Sequence, residues 1–374
     1  MIKRFLGELI SKKFTSGKAI IVMGPRQVGK TTLVESLLED KKSETLFMSG
    51  DEEDIKALFQ NASSTRFKSI FAGKKFIFID EAQKIKDVGL KLKLIADNIK
   101  DIQLIATGSS SFDLANKINE PLTGRKWEYK MYPLSFGEMA AHQGLIDEKR
   151  LLKQRLIYGY YPDVVNNPGQ EKDILKQLSD SYLYKDVLVF ENIKKPEKLI
   201  KILQALALQI GGQVSFTEIG QMCSLDVKTV EKYIELLEKC YIIFRLSSFS
   251  RNLRNELKFN KKIYFYDNGI RNSVIANFSI AEMRTDIGAL WENFLVSERK
   301  KKLEYSQKWS NSYFWRTTEQ KEIDYIEESD GKIKAFEFKW NDKTKYKTPK
   351  KFIQAYTDAK FKIITQNNME EFLL

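Results

Sequence analysis

The chain has 374 residues, of which 43% are hydrophobic and 30% are charged, a balance that excludes an intrinsically disordered chain. Its 62 lysines and arginines outnumber 50 aspartates and glutamates, and the formal net charge of +12 favours a polyanionic partner, although a lysine-rich solvated surface would give the same balance. Two cysteines and one histidine exclude a disulfide framework and argue against zinc, so catalysis would depend on carboxylates, lysines and metals bound through oxygen.

The N-terminal segment MIKRFLGELISKK predicts a short amphipathic helix. Glu8 and Lys12 interrupt its apolar residues, which is unlike the apolar region of a signal peptide. No apolar run approaches the roughly 18 residues that a membrane span needs. We therefore expect a cytoplasmic protein without a membrane partner.

The most specific motif in the chain is a phosphate-binding loop between a strand and a helix. Apolar residues 19–23 predict a buried strand, and residues 24–31 (GPRQVGKT) fit the pattern G-x-x-x-x-G-K-[ST]. Loop N–H groups would surround the phosphates of ATP, Lys30 would reach the β- and γ-phosphates, and Thr31 would bind Mg²⁺. The predicted nucleotide contacts in this loop are Gly24, Pro25, Arg26, Gln27, Val28, Gly29, Lys30, Thr31 and Thr32.

A second buried strand, residues 76–79, ends in the acids Asp80 and Glu81. Acids at the carboxyl end of a buried strand lie where open α/β sheets bind ligands. Asp80 would hold Mg²⁺ through water, and Glu81 would accept a proton from the attacking water. Asp80 could instead cap the following helix, but its combination with a P-loop favours the metal role.

Two further strands, ETLFMSG and IQLIATGSS, complete the predicted sheet. An added strand between the P-loop strand and the acidic strand distinguishes ATPases of the AAA+ kind from simple kinases. Thr107 and Ser109 end the later strand, where a polar side chain such as that of Thr107 could sense the γ-phosphate. Ordinary turn chemistry would explain these two residues equally well.

Five motifs occur in order between residues 24 and 165: GPRQVGKTT, FIDEAQK, IATGSSS, LTGRKWEYKMYPLSFGEM and GYYPDVV. In this order they resemble a large family of bacterial and archaeal AAA+-like ATPases, related to the signal-transduction ATPases, that carry a C-terminal domain of the PD-(D/E)XK nuclease type. The resemblance implies an AAA+-like P-loop ATPase core over residues 1–145. It also implies that Arg125 is an arginine finger or sensor, the alternative being a surface arginine paired with an acid.

Residues 146–195 predict a helical lid or connector, and residues 196–270 predict a winged helix. The second segment contains three helical patterns and then two extended runs, which is the element order of that motif. Its third helix exposes lysines but also acids, which repel DNA phosphates. The wing is more consistently basic, and we expect DNA contacts from Arg251, Arg254, Lys258, Lys261 and Lys262. The alternative is a packing module between the two ends of the chain.

Residues 271–374 predict a restriction-endonuclease-like α/β domain with the core order helix–strand–strand–strand–helix–strand. Asp324 and then residues 337–339 (EFK) match the D…E-x-K signature of that fold. The literal Pro-Asp pair is absent, because Ile323 precedes Asp324. The predicted fold class is therefore α/β: an AAA+-like P-loop domain, a winged helix and a nuclease-like domain.

The chemistry of metal-dependent cleavage would explain the spacing of this signature. Asp324 and Glu337 on adjacent strands would share one Mg²⁺, Glu292 would add a ligand, and Lys339 would orient the attacking water or stabilise phosphate charge. Because strands have a period of two, the opposite face of the last motif is apolar and carries Phe336, Phe338 and Trp340. An inherited fold with a surface Glu–Lys pair is the alternative.

Two functions are compatible with these motifs. In the first, ATP state controls DNA binding through the winged helix and the C-terminal lysines, together with metal-dependent DNA cleavage. In the second, the chain is an ATP-switched regulatory or defence protein whose nuclease-like domain only binds. A homo-oligomer is compatible with both functions, and the motifs specify neither a DNA target nor a protein partner.

Overall fold

The computed structural model describes residues 1–14, 16–61, 63–109, 118, 121–180, 196–250, 261–317, 319–342 and 350–374. Within these ranges the chain divides into two compact units, Met1–Leu134 with Lys239–Tyr241, and Ser135–Glu238 with Ile242–Leu374. We call them the P-loop unit and the C-terminal unit. None of the described helices has the length and apolar character that crossing a membrane requires.

A parallel sheet forms the centre of the P-loop unit. Its strands are β1 (Ala19–Met23), β2 (Thr45–Ser49), β3 (Phe76–Asp80), β4 (Gln103–Gly108) and β5 (Lys126–Lys130). Their order across the sheet is β2-β3-β4-β1-β5, and every neighbouring pair is parallel. β4 therefore lies between β1 and β3, which is the added strand expected of an AAA+-type sheet.

The helices of the P-loop unit are α1 (Phe5–Ser11), α2 (Lys30–Leu37), α3 (Glu53–Gln60), α4 (Ser64–Ile70) and α5 (Val88–Asn98). The predicted N-terminal helix is confirmed as α1, which buries Leu6 and Ile10. All residues of β1 are buried, so this strand reads as a continuous apolar run and not as an alternating one.

Helices make up the first part of the C-terminal unit: α6 (Phe136–Gln143), α7 (Leu145–Arg150), α8 (Leu152–Tyr158), α9 (Pro162–Asn166), α10 (Glu171–Leu178), α11 (Pro196–Leu208), α12 (Phe216–Cys223) and α13 (Val227–Lys239). Later helices are α14 (Asn268–Val274), α15 (Ile287–Tyr305), α16 (Lys350–Ala355) and α17 (Met369–Leu373). Buried hydrogen bonds join the two groups, since the Tyr160 N–H donates to Asp267 at 2.7 Å and the Phe136 N–H donates to Glu298 at 2.6 Å.

A mixed sheet runs through the rest of this unit. Its strands are β6 (Gln213–Val214), β7 (Ile243–Ser248), β8 (Lys261–Phe265), β9 (Asn311–Arg316), β10 (Glu322–Ser329), β11 (Lys332–Phe338) and β12 (Lys360–Ile364), in the order β12-β11-β10-β9-β7-β8-β6. β7 pairs in parallel with β9, with Ser247 opposite Tyr313. Strands of the predicted winged helix and of the predicted nuclease-like domain thus belong to one sheet across the predicted boundary at residue 270.

Apolar side chains pack on both faces of β10 and β11. One face carries Phe336 and Phe338, whose rings contact Phe372 with centroids 4.7 and 5.5 Å apart, as the alternation predicted. The other face carries a second apolar cluster that includes Ile323, Ile326, Ile333, Ala335 and Phe352. A register shift between Ile323 and Ile326 bulges β10 and brings both isoleucines to this face. Both faces of β11 are therefore apolar over most of its length, and not only the face of Phe336 and Phe338. Glu337 follows Ile333 and Ala335 on the second apolar face.

Phe372→Ala should destabilise the C-terminal unit by about 3–5 kcal/mol, because it removes a ring that is 2% exposed and leaves a cavity among three aromatic rings. Denaturant unfolding followed by circular dichroism measures the change. Ile353→Ala is the matched control, since this α16 side chain is 51% exposed and its loss should cost less than about 0.5 kcal/mol. Equal effects of the two substitutions would contradict the packing described for α17.

Candidate functional site

The end of β1 and the start of α2 enclose a strained loop. Gln27 and Gly29 have left-handed backbone angles, with φ of 58° and 88°. A Cβ on Gly24 would lie 2.0 Å from the Met131 carbonyl oxygen, so only glycine fits at that position. α2 begins at Lys30, directly after the loop, and its N-terminal N–H groups give the loop the character of an anion site.

The P-loop lysine is folded onto the loop itself. Lys30 is 5% exposed, and its Nζ donates to the carbonyl oxygens of Gly24 at 3.0 Å and Pro25 at 2.7 Å. Arg4, which the sequence analysis did not identify, also holds the loop: its buried guanidinium donates to the Val28 carbonyl at 2.7 Å. The loop backbone is therefore held in place by its own unit.

Asp80 is the hydrogen-bond acceptor that links the ends of β3 and β4 to the first turn of α2. Thr31 Oγ1 donates to Asp80 Oδ2 at 2.9 Å, and Thr107 Oγ1 donates to Asp80 Oδ1. Thr107 is fully buried, so its hydroxyl supports Asp80 from below. The predicted metal residues Thr31 and Asp80 are thus in direct contact, and the predicted sensor Thr107 acts on the site through Asp80.

Gln83 joins the predicted base to the end of β4. Its Nε2 donates to Glu81 Oε2 at 2.6 Å and to Ser109 Oγ at 3.0 Å, and Gln83 and Ser109 are both buried. Glu81 has a left-handed backbone with φ of 47°, an angle that costs energy in a residue other than glycine. Ser109, which the sequence offered beside Thr107, is the β4 residue connected to Glu81.

An open cavity of about 410 Å³ lies over the P-loop. Its lining residues are Arg26, Gln27, Gly29, Lys30, Thr31, Thr32, Asp51, Glu81 and Lys84. Sequence reasoning missed Asp51 and Lys84, which form an ion pair beside the cavity. Asp51 follows β2 at the carboxyl edge of the parallel sheet, which is the signal that could have identified it.

Arg125 lies at the opposite end of the sheet from the P-loop. Its carbonyl accepts from the N–H of Ala19, the first residue of β1, whereas the P-loop follows the last residue of that strand. At about 3.3 Å per residue the two ends of β1 are roughly 13 Å apart. The Arg125 guanidinium donates to Asp97 Oδ1 at 2.5 Å, so within its own chain this arginine pairs with an acid.

The C-terminal unit brings the D…E-x-K residues to neighbouring positions on β10 and β11. Asp324 Oδ2 accepts from the Phe338 N–H at 2.8 Å, beyond the last paired residues of the β10–β11 ladder. Glu337 is 4% exposed, and Lys339 Nζ donates to its Oε1 at 2.5 Å. Burial, with the neighbouring Glu292 and Glu337 carboxylates, raises the pKa of Asp324 well above its usual range.

A lysine from β8 lies among these carboxylates. Lys262 is 1% exposed, and its Nζ contacts Glu292 Oε1 at 2.8 Å and also Glu322 Oε1. Burial acts to lower the pKa of Lys262, but the carboxylates of Glu292, Asp324 and Glu322 outweigh burial and raise it. We call the side chains of Lys262, Glu292, Glu322, Asp324, Glu337 and Lys339 the carboxylate–lysine cluster.

This arrangement differs from the predicted metal site. Among the described residues, no group of three or more carboxylate, histidine or cysteine side chains is arranged to hold a metal ion. Glu292, the predicted third ligand, instead accepts hydrogen bonds from Lys262 and from the Tyr264 hydroxyl at 2.6 Å. Lys262 was expected on the basic wing, but its burial removes it from the surface; Arg251, Arg254 and Lys258 lie outside the described residues.

Comparison with protein families divides the chain into three matches. Residues 16–140 match the model described as AAA domain. Residues 149–280 and 287–372 match two models described as Domain of unknown function, DUF8612 and DUF4143. The strand order, the P-loop geometry and the first match together define the N-terminal part of the chain as an AAA+-like P-loop domain.

Relatives in curated collections carry no functional name. An uncharacterized protein of Haemophilus influenzae is 28% identical over 238 residues, which are 60% of this chain and 57% of that protein. An uncharacterized protein of Methanocaldococcus jannaschii is 22% identical over 96% of this chain and 84% of its own length. One from Mycobacterium tuberculosis is 23% identical over 86% of this chain and 70% of its own length.

Two solved structures show distant likenesses to this chain. The RuvB Holliday junction branch migration motor of Thermotoga maritima is 15% identical, with a TM-score of 0.32 over 65% of this chain and 90% of that chain. Cdc6p of Pyrobaculum aerophilum is 14% identical, with a TM-score of 0.29 over 74% of this chain and 93% of that chain. Neither likeness is close enough to transfer a function.

Proposed function

We propose that the chain is an ATP-binding and ATP-hydrolysing switch of the AAA+ kind. The observation that carries this proposal is the meeting of the P-loop, the Thr31–Asp80 contact and Glu81 at one edge of a parallel sheet. Thr31 Oγ1 and the Asp80 carboxylate, 2.9 Å apart, are oxygen donors of the type that Mg²⁺ prefers. Mg²⁺ held there would neutralise phosphate charge.

Each side chain of the site has a separate task in this proposal. Lys30 would exchange the carbonyls of Gly24 and Pro25 for the phosphates, a stronger partner for an ammonium group. Glu81 would accept a proton from the attacking water. Gln83 would hold the Glu81 carboxylate toward the cavity through its 2.6 Å hydrogen bond.

Lys30→Ala and Glu81→Gln should separate nucleotide binding from hydrolysis. Lys30→Ala removes the phosphate cation, which should weaken ATP binding by about 1.5–3 kcal/mol, or roughly 10- to 150-fold. Glu81→Gln should bind ATP normally and hydrolyse it about 10²- to 10⁴-fold more slowly, because an amide is a poor proton acceptor. Calorimetry with a non-hydrolysable ATP analogue and phosphate release measure the two effects.

The control for these substitutions is Lys68→Ala, which removes an exposed lysine from α4. It should leave both binding and hydrolysis at the wild-type level. Wild-type turnover in Glu81→Gln would remove that residue from the mechanism. Wild-type affinity of Lys30→Ala for the ATP analogue would show that the P-loop does not bind the nucleotide through this lysine.

We further propose that Arg125 acts on the nucleotide of a neighbouring copy of the chain. Its place at the amino end of β1, and its ion pair with Asp97, support action in trans over action in its own site. An arginine finger supplied by another subunit stabilises phosphate charge in the transition state. Hydrolysis would then require a homo-oligomer.

Mixing two inactive variants tests this assignment. Arg125→Ala keeps an intact P-loop, and Lys30→Ala keeps an intact arginine, so a mixed oligomer contains complete sites. Each variant alone should lose about 10³-fold or more of its phosphate release, and the mixture should recover part of it. Arg66→Ala, at an exposed arginine of α4, is the control and should be fully active alone. A mixture that stays inactive while both variants oligomerise would refute action in trans.

For the C-terminal unit we propose nucleotide-controlled binding of DNA. The net charge of +12 supports a polyanionic partner, and α13 presents exposed Lys228 and Lys232. Binding without cleavage is favoured over a nuclease by the buried Lys262 among the carboxylates that a nuclease would give to its metal.

Charge reversal at Arg251, Arg254 and Lys258 should weaken binding to DNA of any sequence. Each lost phosphate contact should flatten the slope of log K against log salt by about one unit. Fluorescence anisotropy at several salt concentrations measures both quantities. The control reverses the exposed lysines Lys68, Lys172 and Lys176. An equal loss in the control would show attraction by general charge and would contradict contact by the wing.

A further inference from the structure

The carboxylate–lysine cluster contains a cation that comes from outside the D…E-x-K motif. Lys262 lies on β8, which pairs with β7, whereas the motif residues lie on β10 and β11. Although β9 and β7 lie between β10 and β8 in the sheet, Lys262 Nζ contacts both Glu322 of β10 and Glu292 of α15. The lysine therefore reaches Glu292, one of the predicted metal ligands, from a different part of the chain.

Burial makes this lysine dependent on its partners. A charged ammonium that is 1% exposed is costly to bury unless anionic groups surround it. Glu292 and Glu322 supply two direct contacts, and Asp324 adds attraction at longer range. The same three carboxylates would repel one another without a cation between them.

Charge in the cluster is close to balance without a divalent ion. Lys339 pairs with Glu337 at 2.5 Å, and Arg316 pairs with Glu322 at 3.1 Å. Together with Lys262, these cations face the four carboxylates of the cluster. A divalent cation would have to displace the Lys262 ammonium.

We propose that Lys262 is an internal cation that occupies the metal position of the nuclease-like fold, so that the wild-type cluster binds neither Mg²⁺ nor Mn²⁺. The carboxylates of the cluster would then serve as ion-pair partners of a lysine and not as ligands of a catalytic metal ion. Removing the ammonium should convert the cluster into a divalent-cation site, because its carboxylate oxygens would lose their counter-charge. This inference is independent of the ATPase proposal, since the cluster lies wholly within the C-terminal unit.

Titration of Mn²⁺ into the nucleotide-free full chain, followed by electron paramagnetic resonance, tests the proposal. Wild type and Asp324→Asn should bind equal amounts of Mn²⁺, because the P-loop contribution is common to both. Lys262→Met should bind one additional Mn²⁺ per chain, and Lys262→Met with Asp324→Asn should lose it again. The melting temperature of Lys262→Met should rise with Mn²⁺ more than that of wild type.

Two controls isolate the role of the buried ammonium. Lys262→Arg keeps the positive charge and should gain no Mn²⁺. Lys261→Met removes a charge from the neighbouring, less buried position of β8 and should also gain none. Mn²⁺ binding by wild type that Asp324→Asn abolishes would overturn the proposal, as would a folded Lys262→Met chain without the additional ion. The comparison of wild type with Asp324→Asn decides the question even where Lys262→Met does not fold.

Discussion

Parallel pairing of β3 with β4, and of β4 with β1, is the constraint on which the nucleotide site depends. Parallel strands end at the same edge, so Asp80, Thr107 and the P-loop meet there although they are far apart in the chain. Asp80 then accepts from Thr31 and from Thr107, so one carboxylate joins the ends of β3 and β4 to the first turn of α2. The apolar interiors of the strands make this edge rigid, and a rigid edge keeps polar groups in place before a ligand arrives.

The two units use carboxylates and lysines in opposite ways. In the P-loop unit, Lys30 rests on backbone carbonyls beside an open cavity, so it can change partners when phosphates bind. In the C-terminal unit, Lys262 is buried beside the Glu292 and Glu322 carboxylates, which would lose their counter-charge without it. We therefore regard the first as a site that exchanges ligands and the second as a closed ion cluster.

Local patterns were sufficient to predict the P-loop, β1, β3 and the helix that begins at Lys30, because each signal lies within about ten consecutive residues. The predicted placement of Phe336 and Phe338 on one face of β11 was also confirmed, whereas Trp340 lies beyond the end of that strand. These features depend on periodicity and on a motif that the local backbone must satisfy.

Other features depend on contacts that no local pattern contains. The hydrogen bond from Gln83 to Ser109 exists only because β3 and β4 are neighbours. Lys262 lies in a basic run that is typical of an exposed wing, and only tertiary contacts place its ammonium beside Glu292 and Glu322. The β10 bulge, which places Ile323 and Ile326 on one face, breaks the period of two on which the strand prediction relied.

In the proposed mechanism each chain holds an ATP site that is complete except for an arginine from a neighbour. Phosphate release from Mg²⁺-ATP per chain, measured across a range of protein concentrations with the mass of the assembly determined in parallel, tests this arrangement. We expect release per chain to rise with concentration and to level off as the oligomer forms. Release per chain that is independent of concentration in a monomeric protein, or no release from an oligomer with bound ATP, would refute the arrangement.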